Sequence, residues 1–84
     1  MSDAFIKKNI KLGTSFNLYV FRHSRALAKI PNGANVVLAI KGDEKFNRSS
    51  REMVKKALGR SKRTKLVEAR KEGKRWVIRP LTEI

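Results

Sequence analysis

The residues of this chain best suited to chemistry are its cations: 21 Lys and Arg stand against 7 Asp and Glu, a formal charge of +14 on 84 residues. Nine of these cations fall between positions 60 and 79, where the only acids are Glu68 and Glu72. The chemistry they offer is phosphate neutralisation, because crowded like charge repels itself and is relieved when a polyanion is the regular partner. A pI near 11.1 fits the electrostatic footprint of a nucleic-acid-binding protein. Arg70, Lys71, Lys74 and Arg75 cluster about one short turn, with Arg79 farther along. Arg48, Arg51, Lys55, Arg60, Lys62 and Arg63 form a second group, and Lys8 and Lys11, beside Lys7, a third. A solvated helix face would account for the second group too. The shortage of compensating acids favours phosphate contact instead.

Residues that could do bond-making chemistry are sparse. His23 is the single histidine. A general base needs an orienting neighbour and a nucleophile in reach, and no spacing here supplies them. Asp43 and Glu44 are adjacent and could hold a metal in a small nuclease, but a polar turn ahead of a capped helix explains them more simply. With no cysteine there is no disulfide framework and no thiolate zinc site. No phosphate-cradling P-loop or dinucleotide fingerprint is present. The sequence therefore predicts a binding protein, not an enzyme, without cofactor, metal or small-molecule substrate.

The elements that must position the cations follow from hydrophobic pattern. Residues 5–12 (FIKKNIKL) place Ile6, Ile10 and Leu12 on one side of an extended segment, which predicts a strand closed by Gly13. Thr14 or Ser15 then caps a helix through about residue 30, with Phe16, Val20, Leu27 and Ile30 on one face and Tyr19 and His23 beside them. Free amides at its start, beside Gly13-Thr14, would suit an anion. The aromatic and β-branched run 16–21 is the rival strand reading. Residues 36–40 (VVLAI), between Gly33 and Gly42, predict a central strand covered on both faces. A polar turn over 42–47 leads to a second helix over 49–58, where Ser49 and Glu52 have capping-box spacing and Gly59 suits the stop. Strands over 65–70 and 74–79 flank Lys71-Glu72-Gly73 as a terminal hairpin. Alternation sets Arg75, Val77 and Arg79 on one face of it and Trp76 and Ile78 on the other, with Trp76 expected in the core, against the second helix or a partner subunit.

The expectation is an α+β fold: one small domain over 1–84, elements in β-α-β-α-β-β order, a mixed sheet with two helices, and a basic hairpin arm about 65–79. A core this small would gain from a homodimer. No run of about 18 apolar residues exists, and the first residues lack signal-peptide character. The expected location is cytoplasmic, on chromosome or ribosome, without membrane contact.

Several pieces of the chain resemble the Alba family of small archaeal chromatin and RNA-binding proteins. Ile10-Lys11-Leu12-Gly13 is similar to a family strand ending in glycine, and Asn17-Leu18-Tyr19-Val20 to its first-helix pattern. Residues 32–42 (NGANVVLAIKG) resemble its glycine turn, apolar strand and following glycine, and residues 48–58 its second helix. The resemblance implies a homodimer whose two basic hairpins reach towards a duplex of DNA or RNA, contacting phosphates with little sequence preference. By position, Arg70, Lys71, Lys74 and Arg75 would form the arm and Lys11 the central contact. Where that family usually carries a lysine pair, this chain has Thr14-Ser15, which shifts the central contact to Lys8, Lys11 and Arg48. The same element order also fits an RNA- or ribosome-binding module of translation or RNA processing. A winged-helix transcription regulator would instead use 49–58 for recognition and 65–79 as its wing.

Overall fold

The computed structural model describes residues 3–59 and 65–81. They form α1 (Asp3–Arg22), α2 (Ser24–Leu27), β1 (Asn35–Ile40), α3 (Glu44–Leu58), β2 (Leu66–Glu72) and β3 (Arg75–Leu81). The sheet order is β1-β2-β3, with β1 parallel to β2 and β2 antiparallel to β3. A parallel pair requires a long crossover, which α3 supplies, whereas the antiparallel pair closes through Gly73-Lys74. Gly73 takes φ +67°, a backbone region that glycine enters without penalty. The α+β class, the mixed sheet and the C-terminal hairpin are those the sequence predicts.

The first predicted element is overturned: residues 5–12 are helix, the opening half of α1. Phe5, Leu12 and Phe16 are its buried residues, and Tyr19 and Val20 pack against the same core. Their separations repeat at helical spacing, so burial selects a 3.6-residue period over the apparent alternation of Ile6, Ile10 and Leu12. Ile6 and Ile10 are exposed. Gly13 and Thr14 lie inside this helix, and the Thr14 hydroxyl donates back to the Ile10 carbonyl at 3.0 Å. No helix start exists there to receive an anion. The helix predicted through residue 30 stops at Arg22; His23 interrupts it before the single turn of α2.

The second predicted helix begins earlier than expected. Asp43 caps α3, its carboxylate accepting from the Phe46 amide at 3.1 Å, so the Ser49–Glu52 box falls inside the helix. The polar segment 42–47 is thus mostly helix. Its length follows from burial of Phe46, Asn47, Ser50 and Val54 along one face. Asn47 locks the end of β1: its side-chain oxygen accepts from the Ile40 amide at 2.7 Å, and its amide nitrogen donates to the Ile40 carbonyl at 2.9 Å.

β1 is an edge strand, not the central one. It is nonetheless shielded on both sides, because the helices take opposite faces of the sheet. Register places Leu38, Ala69 and Ile78 in one row and Val37, Glu68 and Arg79 in the next, on the other face. A Cβ on Gly13 would lie 3.7 Å from the Leu38 side chain, and Phe16 packs on Trp76 with ring centroids 4.9 Å apart. α1 therefore crosses the first face from β1 to β3. Arg51 of α3 approaches Glu68 on the second face. At its amino-terminal end α1 meets α3 through Phe5 and Phe46, centroids 5.2 Å apart.

Candidate nucleic-acid interface

The terminal hairpin is part of the sheet instead of a projecting arm. β2 is the central strand, and its pairing with β1 runs to Ile40 opposite Lys71, leaving only residues 72–75 beyond. Alternation also divides the expected arm cluster. Arg70 and Arg75 belong to the face of Glu68, while Lys71 sits beside Trp76 on the α1 face. Trp76 is buried, as predicted, but against Phe16 of α1 and not against the second helix.

On the α1 face the lysines gather in a shallow groove. Lys8 and Lys11 come from α1, Lys41 from the end of β1, and Lys71 from β2 beside Gly73. Residues of α1 form one bank of the groove, and those at and just past the ends of β1 and β2 the other. Lys8 forms an ion pair with Asp43 and stands 5.7 Å from the centre of the Phe46 ring. That hydrogen bond from Lys8, with the one from the Phe46 amide, holds the Asp43 carboxyl below the ordinary carboxylate range. Lys74, exposed in the turn, shares a second hollow with Tyr19, Arg22 and His23. The rings of Tyr19 and His23 lie 4.3 Å apart.

On the opposite face the cations are arginines organised by one acid. Glu68 is only 1% exposed. Its carboxylate accepts from Arg70 Nε at 3.0 Å and from an Arg79 terminal nitrogen at 3.3 Å, and an Arg51 terminal nitrogen lies 3.9 Å away. The three guanidinium groups stay partly exposed over a buried carboxylate, so their excess charge faces solvent. Arg48 and Lys55 share the exposed side of α3 with Arg51, interleaved with Glu44 and Glu52. Arg75 pairs with Glu72 at 3.8 Å.

The structure therefore separates the predicted residues into a lysine groove with Lys8, Lys11 and Lys71, a turn with Lys74, and an arginine face with Arg48, Arg51, Lys55, Arg70, Arg75 and Arg79. Arg60, Lys62 and Arg63 lie outside the described residues. Sequence reasoning missed Lys41 and the organising part of Glu68. Lys41 carries the signal of a lone cation directly after an apolar strand; Glu68 that of an acid inside a basic strand. Asp43 serves as helix cap and Lys8 partner, and His23 stacks on Tyr19. Among the described residues, no three His, Cys, Asp or Glu side chains converge as a metal site, and no helix is long and apolar enough to cross a membrane.

No curated protein and no solved structure matches the chain. Almost the whole sequence, residues 4–82, matches a family of unknown function, DUF5647, and the chain belongs to that family.

Proposed function

We propose that this protein is a non-enzymatic, Alba-like nucleic-acid-binding protein that holds the phosphate backbone of a duplex with little sequence preference. It acts as a homodimer in association with chromosome or RNA. The observation that carries the reading is the charge of +14, part of it presented by Lys8, Lys11, Lys41 and Lys71 along one groove and by three arginines on the opposite face. A duplex carries phosphates on both strands for cations to meet, whereas base readout needs a probe inserted in a groove. The burial of Trp76 leaves that ring unavailable for stacking on unpaired bases, which favours duplex over single strand.

Binding to labelled duplex DNA, duplex RNA and single strands across a salt series tests this. Contacts to about six to ten phosphates imply a loss of roughly 10³–10⁵-fold between 50 and 200 mM salt. Substituting Arg70, Lys71, Lys74 and Arg75 together with alanine is expected to weaken binding and flatten the slope. Weak, salt-insensitive binding by the unaltered protein to every strand overturns the function.

A further inference from the structure

We propose that Glu68 is a positioning residue that holds Arg51, Arg70 and Arg79 as a preformed seat for a backbone phosphate on the second face of the sheet. This rests on the nucleic-acid reading above and assigns it a specific contact. An acid at the centre of a phosphate-binding surface is unfavourable by charge alone, since it repels the ligand. Burial also removes most of the hydration that would stabilise its charge. Its geometry accounts for its presence.

A guanidinium has five N–H donors in a rigid plane. Arg70 uses Nε on Glu68 at 3.0 Å, which fixes the plane and leaves both terminal nitrogens. Arg79 reaches the two carboxylate oxygens through a single terminal nitrogen, at 3.3 and 3.5 Å, and keeps Nε and the other terminal nitrogen. Arg51 approaches from α3 at 3.9 Å and keeps its donors. One negative charge thus hydrogen-bonds two guanidinium groups and attracts a third, leaving a local surplus of two. Free arginine side chains lose rotamer entropy when they are fixed by a ligand. Here the fold has already fixed much of that freedom, so less is lost on binding. The three residues come from different elements: Arg70 and Arg79 flank Glu68 in the β2–β3 register, and Arg51 overhangs from α3. Planar arginine forks match the tetrahedral oxygens of a phosphate in a way that lysine point charges do not.

The test turns on the sign of an effect. Glu68→Gln preserves shape and raises net charge by one. If the face is only a field of charge, duplex binding tightens, most at low salt. If Glu68 positions the arginines, affinity falls about 3–10-fold despite the added charge. Arg79→Lys and Arg70→Lys keep every charge and the ion pair but lose the fork, and are expected to weaken binding by a similar factor. Thermal unfolding of each variant checks that it is folded. Should Glu68→Gln fail to fold, the two lysine variants decide alone. Titration of the unaltered protein with inorganic phosphate, followed by the Arg Nε resonances, should shift Arg51, Arg70 and Arg79 ahead of the other arginines. Tighter or equal binding by Glu68→Gln, or unchanged binding by both lysine variants, overturns the seat while leaving the nucleic-acid function standing. Failure of the unaltered protein to bind any duplex overturns both.

Discussion

Asp43 shows how one side chain can hold two segments. It caps α3 through the Phe46 amide and pairs with Lys8 of α1, directly beyond the end of β1. Its carboxyl is held below the ordinary value of 3.8, first by the Lys8 hydrogen bond and then by the helix amide. A lowered folded value means that the ionised form is favoured by folding. The stabilisation is therefore complete above the unfolded value and fades as pH falls through the folded one. Asp43→Asn keeps an acceptor for the cap and removes the charge. It is expected to lower Tm slightly at neutral pH and to match the unaltered protein near pH 2, as a pair of pH-resolved melting curves would show. A gap that persists at acid pH would assign the effect to the cap and not to the ion pair. Glu68 illustrates a different asymmetry. Removing its charge leaves arginines that water can still solvate, whereas removing the arginines strands a buried carboxylate, the costlier change.

At the scale of elements, α1 is the most instructive. Gly13 sits where this helix passes over Leu38, and its φ is not positive. An alanine Cβ there would make ordinary contact at 3.7 Å, and alanine favours helix over glycine by about 1 kcal/mol. Gly13→Ala is thus expected to stabilise the protein by about 0.5–1 kcal/mol in urea unfolding, with unchanged m-value; destabilisation would show that the helix cannot yield to the added methyl. The same glycine explains why α1 was hard to read. Gly13 and Thr14 look like punctuation, and Ile6 and Ile10 look like the inward side of a strand, yet tertiary packing exposes both isoleucines and buries Phe5, Leu12 and Phe16. The spacing of those three was the available signal. β1 and the hairpin were legible because VVLAI and the alternation around Trp76 admit few other structures. Which strand lies at the centre was not, because β2 hides its central position under charged residues. Ala69 is fully buried there and Glu68 nearly so, through partners that only the fold supplies. For the candidate site, residue types were legible but not their division between two faces.

For the molecule as a whole, the exposed apolar residues of α1 complete the picture. Ile6, Ile10, Phe21 and Leu18 fall within an arc of about 120° at 100° per residue, and Phe21 is 88% exposed. A stripe of this kind on an amphipathic helix suits a second copy of the chain, consistent with the homodimer proposed above. Association there would join two lysine grooves in one particle and increase the number of phosphates met at once, raising affinity through effective concentration. Phe21→Ser is expected to shift the mass seen by light scattering from dimer towards monomer and to weaken duplex binding without altering the melting of the monomer. A monomeric unaltered protein at high concentration would remove the dimer from the account.

The mixed sheet also carries a consequence for how the chain acquires its shape. β2 and β3 are joined by a two-residue turn, so their ladder can zip from Glu72 and Arg75 by local closure. β1 must instead find Leu66 from Asn35 across all of α3, and Phe16 must find Trp76 from near the other end of the chain. Longer closures carry a larger entropic cost and slow the search. Within the sheet, pairing therefore runs against the order of synthesis: the β2–β3 ladder closes most locally, and β1 and Phe16 of α1, made earlier, wait for it. Until the hairpin has left the ribosome, Phe16 has no Trp76 to pack on and β1 has no β2 to pair with.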